Sequence, residues 1–273
     1  MYDYNFGIKG DIKKNTEEFL IFVKRMLPRW ANGTPDSECL AIFKILKSLR
    51  EKKKKKLLLV ETGCGASTLT MFLHCALYGG SIYSWDVNPS KGSFLRSVIT
   101  ESIGRVLKAD VSKIWNFVGH NSADKNIGIH VLKELNKKAD FGFFDSWHTV
   151  DHVMRELKAF LKIATPEFVV AFDDAYFTYK HTNDGYINML RYKLNLKKMK
   201  KSQNNYSKPI AEVVKNYLNN NYKKVSKIDD SYKNSCKKDI FFDYFITDRK
   251  FGFEMDMEKD DKRSETFVAY SVK

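Results

Sequence analysis

With 273 residues, 43% of them hydrophobic, the chain is long enough to bury a large single core. It contains no run of about 18 apolar residues, so no transmembrane helix is expected, and its polar opening, MYDYNFGIKGDIKKN, lacks the apolar stretch of a signal peptide. The net charge of +14 is concentrated between Arg191 and Lys238, where 14 basic residues face only Glu212, Asp229 and Asp230. A solvated basic face is the plainer reading of that segment, and a footprint for an anionic partner is the alternative. Cys39, Cys64, Cys75 and Cys236 are scattered without metal-ligand spacing, which suits a reduced, cytoplasmic compartment.

Residues 11–29 read as a helix, with Phe19, Leu20, Phe22, Val23 and Met26 on one broad apolar face and Pro28 ending it. Trp30 to Gly33 form a turn. Thr34 as N-cap and Pro35 as first helical residue then open a helix that runs to about Arg50 on Leu40, Ile42, Phe43, Ile45, Leu46 and Leu49. Residues 1–50 are therefore expected to be a helical lid or sheet-flanking layer, with 51–273 the main domain and 191–238 a basic insertion within it. Lys52–Lys56 suits a helix C-terminus better than a binding patch.

From Leu57 the pattern alternates. Strands are predicted at 57–62, 81–86, 116–118, 141–144 and 168–172, and helices at 66–78, 91–103, 126–137 and 149–163. Beyond Asp174, helices are expected at 185–196 and 209–218, and strands at 222–228 and 240–247, with 250–255 and 266–272 as a further pair. Lysine-rich 197–207 joins these parts. The fold class is α/β: a Rossmann-like, seven-stranded, mostly parallel sheet with helices on both faces.

The stretch LLLVETGCGAST (57–68) is a strand, a tight turn and a helix start, the arrangement that presents backbone N–H groups to a nucleotide-like ligand. Ligands of such sheets bind at the carboxyl ends of the strands. Those ends carry Glu61-Thr62-Gly63, Asp86, Gly119-His120-Asn121-Ser122, Asp145 and Asp173-Asp174. Asp86 lies about 21 residues past Gly65, where a carboxylate reaches a ribose hydroxyl. The turn is not GxGxxG. An acidic Glu61 is awkward beside a pyrophosphate and comfortable near an amine-bearing ligand, which favours S-adenosylmethionine (SAM) over NAD. One strand-end aspartate reads as a helix cap. Three beside one crevice repel unless a cation or a shared proton offsets them, and Mg²⁺ is the default oxygen-ligand cation.

Taken together, VETGCGAST, YSWDVNP, GHNS, FFDSWH and VAFDDA resemble the class I SAM-dependent methyltransferases, and among them the metal-dependent small-molecule O-methyltransferases of the catechol type, over about residues 30–180. The resemblance implies SAM binding by Glu61, Gly63, Gly65, Ser67, Asp86, Asn121, Ser122, Asp145 and Trp147, with Asp86 on the ribose and Trp147 against the adenine. It implies a metal held by Asp145, Asp173 and Asp174. His148 stands where the catechol enzymes have a lysine base, and metal-dependent sugar methyltransferases of macrolide biosynthesis are similar in placing a histidine there. Asp174 stands where the catechol family has asparagine, which makes the centre more anionic. His148 and His152 are spaced i,i+4 like a zinc pair on a helix, but the intervening glutamate of that motif is missing at its expected place, so His152 reads as a helix-surface or supporting residue. His181 faces acceptor or solvent, solvent being the plainer reading.

The expected reaction is O-methylation of a small-molecule or sugar acceptor, one bearing phosphate or carboxylate suiting the basic 191–238 segment. A nucleic-acid substrate is the second reading. It lacks support from any RNA-binding module or the Asn/Asp-Pro-Pro-Tyr/Phe signature of amino-methylating relatives. A SAM-binding protein without catalysis is the third. The early helices offer a surface on which a homodimer could form.

Overall fold

The computed structural model describes residues 12–175, 210–221, 225–229 and 267–271. The first helix, α1 (Thr16–Arg25), has Glu17 and Glu18 in its first turn and Lys24 and Arg25 in its last, matching the helix dipole at both ends. A 3₁₀ turn at Arg29–Ala31 leads to α2 (Asp36–Lys53). Its N-cap is Pro35, with extended backbone, so the expected cap, Thr34, lies one residue outside it and Pro35 precedes the first helical residue. It also runs a turn beyond Arg50 and stops at Lys54, which adopts a left-handed φ of 51°. Lysines are good helix formers and suit a helix C-terminus, so the basic run extends this helix.

The alternating part follows as β1 (Leu57–Thr62), α3 (Ala66–Tyr78), β2 (Gly80–Trp85) and α4 (Pro89–Ile99). A π turn at Thr100–Gly104 and the short α5 (Arg105–Leu107) and α6 (Val111–Ile114) precede β3 (Trp115–Val118). Then come α7 (Val131–Glu134), β4 (Ala139–Phe144), α8 (Val150–Ile163) and β5 (Ala164–Phe172). The remaining elements are α9 (Ile210–Asn221), β6 (Val225–Asp229) and β7 (Phe267–Ser271). The helix expected over 126–137 shrinks to α7. Asp124 Oδ1 accepts the N–H groups of Asn126 (2.7 Å) and Ile127 (3.1 Å), a local turn that competes with helix. The helix expected at 185–196, the segment 197–207 and the strands expected at 240–247 and 250–255 lie outside the described residues.

Five strands run parallel in the order β3-β2-β1-β4-β5; β7 pairs antiparallel with β5, and β6 pairs antiparallel with β7, so β7 alone runs against the others among the described strands. Strand residues alternate between two apolar layers. Leu57, Leu59, Phe141, Val169 and Ala171 pack with α1, α2 and α3 residues such as Leu20, Phe43 and Phe72. Val60, Phe144, Val170 and Phe172 pack with Leu157, Phe160 and Val214 of α8 and α9. Helices thus cover both faces, as buried parallel strands require. The N-terminal helices share the first of these layers with β1 and α3. Among the described residues, no helix is long and apolar enough to cross a membrane.

Candidate active site

Gly63 turns the chain off β1 with φ +80°, and a Cβ there would collide with the backbone carbonyl of Asp145. The turn after β1 therefore lies directly on the end of β4, a close approach that glycine alone permits. On the other side, Gly65 sits beneath the N-terminal layer, its Cβ position 3.2 Å from the Ala31 carbonyl oxygen.

Glu61 is fully buried, and its carboxylate accepts from Ser67 Oγ (2.7 Å), Thr68 Oγ1 (2.8 Å) and Ser84 Oγ (2.6 Å). Two of these hydroxyls relay other donors. Gly65 N–H donates to Thr68 Oγ1 (2.9 Å), and Trp115 Nε1–H donates to Ser84 Oγ (2.9 Å). Burial pushes the Glu61 pKa up to about 7, against the pull of the three hydroxyls. Glu61 and Ser67, expected to touch the cofactor, bond one another away from the cavity and set the shape of the glycine turn.

Asp86 closes the turn from the other side. Its Oδ2 accepts from Cys64 N (3.0 Å) and faces Lys91 Nζ (3.5 Å), while Oδ1 accepts from Asn88 N (2.8 Å). A cavity of about 570 Å³ opens here, lined by Gly63, Asp86, Asn121, Ser122, Asp145 and Trp147, among others. That volume lies within the range of small-molecule and cofactor sites. Six of the expected cofactor residues thus line one cavity, with Trp147 54% exposed.

Asp145 also belongs to a second group. One ligand atom each from Asp145, His148 and Asp173 lie within 4.8 Å of one another. Asp174, expected as a ligand, instead turns toward the imidazole: His148 Nε2 is 3.4 Å from Asp145 Oδ1 and 3.7 Å from Asp174 Oδ2. Asp174 adopts φ 49°, a left-handed conformation that aspartate tolerates better than most residues. Burial pulls the His148 pKa down, but its bond to Asp145 and the charges of Asp174, Asp145 and Glu156 outweigh it and raise it to about 9. Burial drives Asp173 well above the usual carboxylate range, helped by the charges of Glu38, Asp145 and Asp174. Its Oδ1 is buried with no hydrogen-bond partner.

Glu38, buried in the first turn of α2, is a residue that sequence reasoning missed. There it reads only as a favourable charge at a helix start; nothing in the spacing points it at β5. His152 and Glu156 were missed as a pair in the same way: His152 Nε2 lies 3.2 Å from the fully buried Glu156 Oε1.

A glycine turn, a strand-two carboxylate and an acidic corner thus meet at the carboxyl edge of the parallel sheet, the edge at which open α/β sheets bind their ligands. Residues 60–175, which include the whole cavity lining, match the family model described as a methyltransferase domain. That stretch of the chain therefore carries a methyltransferase domain. Among curated protein sequences, none matches the chain. Among solved structures, it is similar to an O-methyltransferase from Bacillus cereus in complex with SAH, at 15% identity over 97% of this chain and 93% of that one, with a TM-score of 0.48. It is also similar to TomG, an O-methyltransferase from Streptomyces achromogenes involved in tomaymycin synthesis, at 14% identity over 84% of this chain and 78% of that one, with a TM-score of 0.45.

Proposed function

We propose that this methyltransferase O-methylates a small-molecule or sugar acceptor with the help of a divalent cation, Mg²⁺ by default. The observation that carries the reading is the double membership of Asp145: it lines the cavity and also stands in the Asp145–His148–Asp173 group. Through Asp145 the cavity adjoins the acidic corner, so a hydroxyl held at the corner would lie next to a cofactor bound in the cavity.

SAM, when bound, supplies a methyl carbon already activated by its sulfonium, which leaves the protein mainly to position the reactants. Asp86 would meet the ribose hydroxyls, Trp147 would lie on the adenine, and Asn121 and Ser122 would face its edge. Gly63 and Gly65 keep the backbone close. The buried, partnerless Asp173 oxygen beside Asp145 fits a hard cation with oxygen ligands. Asp145 and Asp173 would hold it, with Asp174 adding charge beside them. Such a cation, when bound, lowers the pKa of a coordinated hydroxyl and offsets the carboxylate charge that raises His148. With that charge offset, a neutral His148 would accept the hydroxyl proton. The buried free thiols Cys39, Cys64 and Cys75 support a reducing, cytoplasmic setting. The helices before β1 would act as the layer over the glycine turn, and the basic composition of 191–238 suits an anionic acceptor.

The test is turnover on a panel of hydroxylated acceptors, sugar phosphates included. EDTA is expected to stop methyl transfer and Mg²⁺ to restore it. His148→Ala is expected to lose turnover while binding SAH within about threefold of the native protein by calorimetry, since its role lies in proton transfer. Full activity in chelator would remove the cation from the mechanism, and unchanged turnover in His148→Ala would remove the base.

A further inference from the structure

We propose that Glu156 is a positioning residue that sets the hydrogen-bond polarity of the cavity wall, so that the wall selects a ligand edge offering an amine donor beside a ring-nitrogen acceptor, as adenine does. The proposal rests on the reading of this cavity as the SAM site.

Glu156 lies on α8, fully buried and behind the cavity lining. Three groups from three parts of the chain converge on its Oε1: Ser122 Oγ and Ser146 Oγ (2.6 Å) donate to it, and His152 Nε2 lies 3.2 Å away. Ser122, Ser146 and His152 all line the cavity. A serine hydroxyl has one proton and two lone pairs. Both serines spend their proton on the carboxylate, so toward the cavity they offer lone pairs only. His152 Nε2 lies 3.2 Å from the same oxygen and 3.4 Å from Ser122 Oγ; a carboxylate only accepts, so a proton on Nε2 is spent within this group.

Asn121 has the opposite polarity. Its Oδ1 accepts the Ala123 backbone N–H at 2.8 Å. A backbone N–H can only donate, so the amide orientation is fixed and its NH₂ is the group left for the cavity. The wall therefore carries acceptors at Ser122 and Ser146 beside a donor at Asn121. Adenine carries the complement, an exocyclic amine next to the N1 acceptor. Hypoxanthine reverses both positions, with a carbonyl oxygen next to N1–H, and would set acceptor against acceptor and donor against donor. A glutamine at 156 keeps the shape but turns an N–H toward the serines. A serine that accepts from it can direct its own proton into the cavity, and the polarity is lost.

The experiment is calorimetry on the full chain with SAH and with S-inosylhomocysteine. The native protein is expected to prefer SAH by on the order of 10- to 100-fold, the scale of a buried polar mismatch. In Glu156→Gln the preference is expected to fall to about threefold or less, chiefly through weaker SAH binding. A residue that only stabilised α8 would lower the melting temperature and leave this ratio alone. A native protein that binds neither ligand overturns the cofactor reading itself. SAH binding with no preference, or a preference kept in Glu156→Gln, overturns the role of Glu156 alone. Should Glu156→Gln fail to fold, Ser122→Ala and Ser146→Ala carry the same test: a reduced ratio in either supports the proposal, and an unchanged ratio in both sinks it.

Discussion

His74 sits on α3 with its ring fully enclosed, 6.1 Å from that of Phe43 and 5.1 Å from that of Tyr78. Burial, then the Arg50 charge, push its pKa down to about 4, with the Leu46 carbonyl pulling weakly the other way. In the unfolded chain the ring titrates near the ordinary 6.5. Between these values the unfolded state binds more protons, so the stability His74 permits is complete above about pH 6.5 and falls as the pH drops toward 4. The loss reaches about 2–3 kcal/mol by about pH 4.5. In urea unfolding at pH 7 and pH 4.5, His74→Leu is expected to lose about that much less than the native protein between the two conditions. Equal losses would show that other groups govern the acid limb.

At the scale of elements, the N-terminal layer is tied together by one carboxylate. Asp36, the first residue of α2, receives Lys24 Nζ on Oδ1 (2.7 Å) and both Nε (3.1 Å) and Nη2 (3.0 Å) of Arg25 on Oδ2. Lys24 is fully buried, whereas Arg25 is about a third exposed. Removing the carboxylate that faces a buried ammonium costs about 3–5 kcal/mol, while an exposed partner contributes about 1 kcal/mol at most. Asp36→Ala is therefore expected to lower the urea midpoint sharply and Arg25→Ala only slightly; equal small shifts would mean that apolar packing alone holds α1 to α2. None of this pairing is legible in the sequence, where Lys24 and Arg25 read as charges at a helix end. What is legible there is local. Leu57–Thr62 and Ala66–Tyr78 come out to the residue because an apolar run, two glycines and a helix face are all contiguous. The strand ends at Asp86, Asp145 and Asp173 are legible too, because parallel strands point one way. The partners of Glu61 are not: Ser67 and Thr68 come from α3, Ser84 comes from β2, and only packing brings them together. Glu38 and Glu156 stay hidden for a simpler reason, since a carboxylate on a helix reads as solvent-facing until the neighbouring element is in place.

The whole molecule gathers negative charge at one point. Glu38 comes from the N-terminal layer, Asp145 from the end of β4, and Asp173 and Asp174 from the end of β5, and three of them raise Asp173 together with its burial. The folded state thus carries a repulsion that the unfolded chain does not. For a carboxylate raised on folding, stability is present below its ordinary pKa and is lost as the pH rises through the folded value, so at neutral pH this corner opposes folding. A cation that binds the folded corner and not the unfolded chain reverses the sign by mass action, by about 2.7 kcal/mol at one hundred times its Kd. In thermal melts without SAM, millimolar Mg²⁺ is expected to raise the Tm of chelator-treated protein by about 4 °C or more near pH 7.5, with a smaller gain near pH 5.5 and none from NaCl of equal ionic strength. Asp173→Asn removes the raised charge and a ligand at once. The variant is expected to melt no lower than the cation-free native protein at pH 7.5 and to show no response to Mg²⁺. A native Tm that ignores Mg²⁺ at both pH values would mean that protons alone, shared among Glu38, Asp145 and Asp173, hold the corner together.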